Sequence, residues 1–519
     1  MKAFTIGLST VVCLIALGCT DATDEASSTS GSVGAGAAGG GGAGGTGGAS
    51  TCEGSQPDDP RVAAALDQLR ELSAEKKLPG GAAVAIVQNG EILGLGVFGT
   101  KLEPGCDPMT EDTLFRVTKA TELITTLAVL DAVEEERLSL DASIVDTVTT
   151  LHVENDTHGS VDQITLRHLL AETSGYRAVS DQWHTLNTCT TLVDSVANAD
   201  IPLLYFPPGT MQQPGTWSSA EIAGLALQIV DGVPYPDAVR ARVLDPLGMG
   251  GAFDDDELVA LNHARGHYTT PTDSADPEIC ANRFPSDGYH GSIRDIAKLL
   301  AYLTGGPGTV LEPNMLDEML SEQGPMFWSS EYMPFGFDEA WHQEDIGDDV
   351  LLIDSSRGGY YQLTIMLKQR RLAMTILWNA DMLDATDYVN DLAPRLERMF
   401  ADIDPTLAAL RLNPPFMADP LLVASVAGRY TDTFGFNSEG ERAIEVSVDP
   451  RDATRLHGVI TSNDGATQSI DLTPFIAQDN FRVAGETWQN ARFWRDDDGF
   501  SYAMSFGADG GPPFFREPE

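Results

Sequence analysis

The chain has 519 residues, 32 lysines and arginines against 77 aspartates and glutamates, and a formal net charge of −45. So strong an acidic balance argues against nucleic acid or any other polyanion as a partner, and favours a solvated acidic surface. The length is enough for more than one domain.

Met1-Lys2 and the apolar run Phe4 to Leu17, followed by Gly18-Cys19, read as a secretory signal over residues 1–19. The run is too short to span a membrane. Its end, Ala16-Leu17-Gly18-Cys19, resembles a bacterial lipobox, which makes Cys19 the expected lipidation site and a lipid anchor the only expected membrane contact; a plain secretory signal is the alternative. Residues 20–59 are rich in Gly, Ser and Ala, bury little apolar surface, and are expected to be a flexible tether. Four cysteines follow Cys19: Cys52, Cys106, Cys189 and Cys280. In an exported chain they imply two disulfides, with three pairings open; Cys52 with Cys106 and Cys189 with Cys280 is the favoured set. Their wide spacing does not suit a metal site, and no cofactor is implied.

Residues 61–77 carry Val62, Leu66, Leu69 and Leu72 at helical spacing and stop at Pro79-Gly80. Strands are expected at Ala82 to Gln88 and Ile92 to Phe98, joined by the turn Asn89-Gly90. Residues 115–146 then read as a helix buried on one face through Leu123, Leu127, Leu130 and Val133, with Thr118 as its cap. The acidic run Glu134 to Glu136 marks its exit, and Leu138 and Leu140 suit an extended segment.

The stretch Phe115-Arg-Val-Thr-Lys-Ala-Thr-Glu122, continuing to Ala128-Val-Leu130, resembles the serine β-lactamase and penicillin-binding superfamily, most closely its class C β-lactamase and esterase branch. There the helix opens Phe-Arg-x-x-Ser-x-x-Lys; the serine attacks a carbonyl and the lysine one turn later takes its proton. An ungapped match puts Lys119 at the serine and Glu122 at the lysine. On a helix this i, i+3 pair can join as an ion pair worth a few tenths of a kcal/mol (roughly 0.2–0.5). Ser73-Ala-Glu-Lys76 is a Ser-x-x-Lys in the wrong place, at the end of the first helix.

The other family elements are altered too. Leu169-Leu-Ala-Glu-Thr-Ser-Gly175 resembles Leu-Leu-x-His-Thr-Ser-Gly with Glu172 in place of histidine, and Ser174 lacks the glycine two residues earlier that a nucleophile elbow needs. The Tyr-x-Asn element falls on Trp217-Ser-Ser219 or on Gly215-Thr-Trp217, neither with a tyrosine hydroxyl; Tyr388-Val-Asn390 fits the pattern but comes after the third element. That third element, Lys-Thr-Gly or His-Ser-Gly, falls on Ile353-Asp354-Ser355, counted back from Gly359-Tyr360 and the strand pair Gln362 to Leu367 and Leu372 to Asn379. An aspartate there is expected to repel a substrate carboxylate. His263 and His267 have ligand-like spacing but read as surface histidines.

After Arg411-Leu-Asn-Pro-Pro415 come short alternating stretches at Val423 to Tyr430, Ile444 to Val448, His457 to Thr461, Ile470 to Leu472, Arg492 to Trp494 and Phe500 to Ser505. They read as a small antiparallel β-barrel or sandwich over residues 415–519. The resemblance therefore implies an α+β fold over residues 60–405, an antiparallel sheet flanked by helices beside a helical lobe, followed by a C-terminal β domain. It also implies an exported, periplasmic or cell-surface protein. With all three elements altered, the expected function is a pseudoenzyme that binds a small molecule or a cell-envelope component. The alternatives are an active hydrolase with a displaced nucleophile, Thr118 or Thr121 among the candidates, and a structural surface protein acting through the β domain.

Overall fold

The computed structural model describes residues 54, 57–101, 107–154, 156, 159–176, 191–197, 204, 206–209, 217–253, 261–267, 284–306, 310–323, 334–380, 388–412, 420–431, 441–462, 465–475, 477–483, 490–495, 501–507 and 513–516. Cys19, Cys52, Cys106, Cys189 and Cys280 lie outside them, as do residues 20–53 of the tether and Gly215.

Helix α1, Pro60–Lys76, starts where Asp59 accepts the Arg61 amide at 2.8 Å and proline stands at the first position. It ends at Lys77 in the left-handed region, and Val62, Leu66, Leu69 and Leu72 form its buried face. Strands β1, Gly81–Gln88, and β2, Glu91–Gly99, turn through Asn89 and Gly90, both at positive φ. The first starts one residue earlier than the apolar pattern suggests, and the second extends one residue further at each end.

Both faces of the main sheet are covered, so β1 reads as a continuous apolar run. Ala83, Ala85 and Val87 point into one core and Ala82, Val84 and Ile86 into the other. The first core holds α2, Ala120–Glu134; the second holds α1 and, late in the chain, helix Ala393–Ile403. With β5, Glu339–Gln343, β6, Asp348–Arg357, β7, Tyr360–Leu367, and β8, Leu372–Trp378, the sheet runs β2-β1-β8-β7-β6-β5, every pair antiparallel. The short β3, Leu114–Arg116, pairs separately with β4, His290–Ser292.

Three expectations for the central stretch are corrected. Residues 115 and 116 belong to the strand Leu114–Arg116, not to a helix, and Thr118 is not the cap: it sits at φ 39° before Lys119, the residue that precedes α2. Nor does α2 bury a single face, because every residue from Ala120 to Leu130 is buried. Helices α3, Leu166–Leu170, α4, Leu192–Ala197, α5, Trp217–Asp231, and α6, Tyr235–Val239, belong to the lobe around α2, and α5 and α6 pack directly against it. The sheet covers the other side, so from Ala120 to Leu130 α2 has no solvent face and its apolar periodicity understates its burial.

The C-terminal strands are β9, Gly428–Thr431, β10, Glu441–Val448, β11, Leu456–Ser462, β12, Thr467–Phe475, β13, Ala477–Val483, β14, Asn490–Arg495, β15, Ser501–Gly507, and β16, Pro513–Arg516. From β10 to β16 each pairs with the next, and β9 joins β16 to β10, closing a barrel around Tyr430, Ile444, Leu456, Leu472, Phe493 and Met504. Val423 belongs to a short helix, Pro420–Ser425, rather than to a strand. The alternating pattern misses β13 and β16, which carry few aliphatic residues.

Candidate functional site

The site is built where β3 turns into α2. Thr118 holds a left-handed backbone conformation that costs a residue with a Cβ on the order of 1–3 kcal/mol and persists only where neighbours enforce it. Gln362, fully buried on β7, does so: its side-chain oxygen accepts the Ala120 amide at 2.9 Å and the Thr118 hydroxyl at 3.2 Å. Replacing Gln362 by leucine leaves both donors buried without an acceptor. We expect Gln362→Leu to be less stable by about 1–3 kcal/mol in urea unfolding; unchanged stability would show that Gln362 does not hold this turn.

This geometry presents the Lys119 side chain to three carboxylates. Its ammonium lies 2.8 Å from Glu122 on the next turn of α2, in direct contact with Glu172 in the loop after α3, and 3.5 Å from Asp338 just before β5. Lys119, Glu122 and Glu172 are buried, and Asp338 is largely so. Asp338 also accepts the Asp354 amide at 2.9 Å, which ties the cluster to β6. Glu172, like Thr118, has a positive φ, 53°.

Burial pulls the Lys119 ammonium down, but the charges of Glu122, Glu172 and Asp338 outweigh it and set its pKa well above the usual lysine value. Burial pushes the Glu122 carboxyl up to about 8, against the pull of Lys119. Asp338 is raised by the same cause. Beside the ammonium is a cavity of about 10 Å³, lined by Thr125, Thr126, Leu169, Ala220, Gly336 and Phe337 among others. That is room for one water at most.

The structure separates the other sequence candidates. Ser219 lies in the first turn of α5, buried, with its hydroxyl 3.3 Å from that of Ser174, which also accepts the Tyr176 amide. Trp217 begins the same helix. Ile353 packs in the core around α2, and Ser355 pairs with Gln362 on that same face of the sheet. Asp354, between them, pairs with Leu363 of the opposite core and is exposed. Strand alternation therefore turns its carboxylate away from Lys119, and the expected repulsion of a substrate carboxylate from that position is corrected.

Thr118 and Thr121 hold structural bonds, Thr121 accepting the Tyr289 amide at 3.3 Å. Tyr388 packs against the core on the α1 side of the sheet, and Lys76 pairs with Asp391 at 2.7 Å on that same side. His263 is not a surface histidine: it is half-buried, its ring nitrogen 3.1 Å from the Tyr360 hydroxyl, and burial lowers it to about 4. His267 is half-buried too. Among the described residues no group of three or more His, Cys, Asp or Glu is arranged to hold a metal ion, and no helix is long and apolar enough to cross a membrane.

Sequence reasoning missed Asp338 and Gln362 as parts of the site. Glu172 carried a signal, since it replaces a family histidine; Asp338 carried none, because its approach depends on how β5 is laid against β6.

Comparison with known proteins agrees with this architecture. Esterase EstB of Burkholderia gladioli is 29% identical over 295 residues, covering 49% of this chain and 73% of that protein. The octameric penicillin-binding protein homologue from Pyrococcus abyssi superposes with a TM-score of 0.57 at 18% identity, over 87% of this chain and 99% of that one. SurE, solved with D-Leu, gives 0.61 at 18% identity, over 88% and 99%. At such identities the two structures speak for the fold alone. The family model described as Beta-lactamase matches residues 62–394, from the first turn of α1 to beyond the last strand of the main sheet, and the chain belongs to the beta-lactamase family.

Proposed function

We propose that this chain is an exported beta-lactamase-family protein, anchored by a lipid at Cys19, that no longer carries out acyl transfer at the family's nucleophile position and works by binding a small molecule or a cell-envelope component. The observation that supports it is the Lys119 cluster: an ammonium held by three carboxylates stands where the family's serine would be, with space for a single water beside it. An ammonium so held does not give up its proton to become a nucleophile at neutral pH, and the neighbouring Glu122 has no hydroxyl at position 119 to activate.

The test is the intact mass of the purified protein after incubation with a fluorophosphonate, a penicillin and a cephalosporin, together with turnover of p-nitrophenyl esters. No adduct and no saturable turnover are expected. A stoichiometric adduct, located by peptide mapping, would overturn the reading. It would favour the second one, an active hydrolase with a displaced nucleophile, which the 29% identity to a protein named as an esterase supports.

A further inference from the structure

The main sheet ends in two edge strands that differ in how they resist pairing with another chain. β5 is short and carries Glu339, His342 and Gln343, with the His342 ring nitrogen 2.7 Å from Asp349. Brevity and charge blunt such an edge. β2 has neither: it is nine residues long, and its run from Ile92 to Phe98 holds no charge and no proline. An apolar strand of that composition is a template for a further strand wherever its edge is free.

Two pieces of the same chain lie along this edge. The Met109 amide donates to the Gly99 carbonyl at 3.1 Å and the Lys101 amide to the Asp107 carbonyl at 2.9 Å, so residues 107–109 cover the strand from Gly99 onward. Two residues back, Gly54 lies so close to the strand that a Cβ at position 54 would collide with the Val97 carbonyl oxygen and stand 2.7 Å from the Phe98 Cα. The obstacle is the backbone of β2, which β1 holds from its other side. From Gly54 the chain passes onto the α1 face of the strand, with Pro57 against Gly96 and Asp59 against Gly94, and Asp59 then caps α1. Gly54 therefore interrupts the apolar run and leaves only the stretch from Ile92 to Leu95 beyond it, where Ile92 is exposed.

We propose that the outer edge of β2 is a strand-pairing surface which the chain guards with its own segment, Gly54 with Pro57–Asp59, and that β2 of a second copy takes the place of that segment once it is lifted. Glycine at position 54 lets the guard sit on the Val97 carbonyl, since it brings no side chain to the contact. The segment wins over a second copy because it is joined to α1 through Asp59, which gives it a high effective concentration, whereas two copies with a formal charge of −45 each repel one another. Antiparallel pairing of β2 with β2 about a two-fold axis would join the two sheets edge to edge. Neither Lys119 nor any nucleophile takes part, so the guard holds whether or not the protein is a hydrolase.

Gly54→Val in the full-length protein tests this by two measurements: hydrogen exchange of the peptide 94–99 at low protein concentration, and sedimentation velocity over a range of concentrations. The valine lifts the segment. We expect peptide 94–99 to lose protection while β7 and β8 keep theirs, and a species of twice the parent's mass to form as the concentration rises. Gly54→Ala brings the same Cβ and should act in the same direction. Adding Ile92→Lys to Gly54→Val puts a charge on the uncovered end of the strand, and it should restore the parent's mass while leaving the peptide unprotected. Unchanged protection in Gly54→Val would overturn the guard. Lost protection without a heavier species would overturn the pairing surface, as would a heavier species that Ile92→Lys leaves intact. Failure of Gly54→Val to fold would also count against the proposal, because Gly54 lies outside both cores of the sheet and a guard is dispensable to them.

Discussion

Replacing Lys119 by alanine is expected to cost about 3–5 kcal/mol of stability at pH 7.5, because removing one partner from a buried ion cluster leaves the others uncompensated. Glu122, Glu172 and Asp338 would then lose the ammonium they share, in a space slightly enlarged by the lost side chain. The loss is a large part of the roughly 5–15 kcal/mol that holds a typical domain together. It should shrink toward pH 5, where protonation relieves the repulsion among the carboxyls. The exposed i, i+3 pair of Arg70 with Asp67, 2.9 Å apart, is the internal comparison. Arg70→Ala should change stability by less than about 1 kcal/mol, as expected for a solvated ion pair. Urea unfolding of both variants at pH 7.5 and 5 decides the matter. If Lys119→Ala were as mild as Arg70→Ala, the cluster would be a surface-like contact that tolerates loss.

The contrast between those two pairs also shows what a sequence can and cannot convey. Lys119 and Glu122 are visible as an i, i+3 pair, and on an exposed helix their contact is worth only a few tenths of a kcal/mol (roughly 0.2–0.5). What changes the energetics is burial on all sides of α2, which arises from α5, α6 and the sheet closing around it and leaves no mark in the local pattern. The hairpin at Asn89-Gly90, the strands β7 and β8 and the face of α1 were legible, because period and turn chemistry are local properties. Ile353-Asp354-Ser355 lie on a strand, as the count back from Gly359-Tyr360 implied, but the direction of each side chain was not legible. Asp354 proved to face the α1 core because its cross-strand partner is Leu363. A shift of one residue would have turned it toward Lys119. Thr118 reads as a helix cap by composition, yet its hydroxyl goes to Gln362, more than two hundred residues later in the chain. Long-range partners of that kind decide the site, and periodicity does not reach them.

The double variant Lys119→Ser/Glu122→Lys rebuilds the Ser-x-x-Lys order on an otherwise unaltered backbone, and it should become labelled by a fluorophosphonate at position 119 where the parent is not. The turn that carries position 119 is already held in place by Gln362, and a lysine at 122 would meet the carboxylates left by the exchange, Glu172 and Asp338. Removing the Lys119 side chain opens the cavity beside it, so the new hydroxyl gains the approach that the parent lacks. Acylation needs a hydroxyl and a nearby base, and the two carboxylates would hold the new lysine protonated much of the time, so labelling is expected to be slow and to quicken as pH rises. Turnover of esters should stay far below labelling, since the resemblance implies a tyrosine in the second element and a basic residue in the third, and neither Trp217-Ser-Ser219, nor Gly215-Thr-Trp217, nor Ile353-Asp354-Ser355 supplies one. Mass spectrometry with peptide mapping reads the outcome directly. An adduct on the introduced serine that accumulates without release would show that the scaffold keeps the nucleophile position and that the exchange at 119 and 122 is what silences it. A folded double variant with no adduct would place the block elsewhere, in Glu172 and Asp338, whose charges hold the base in its protonated form.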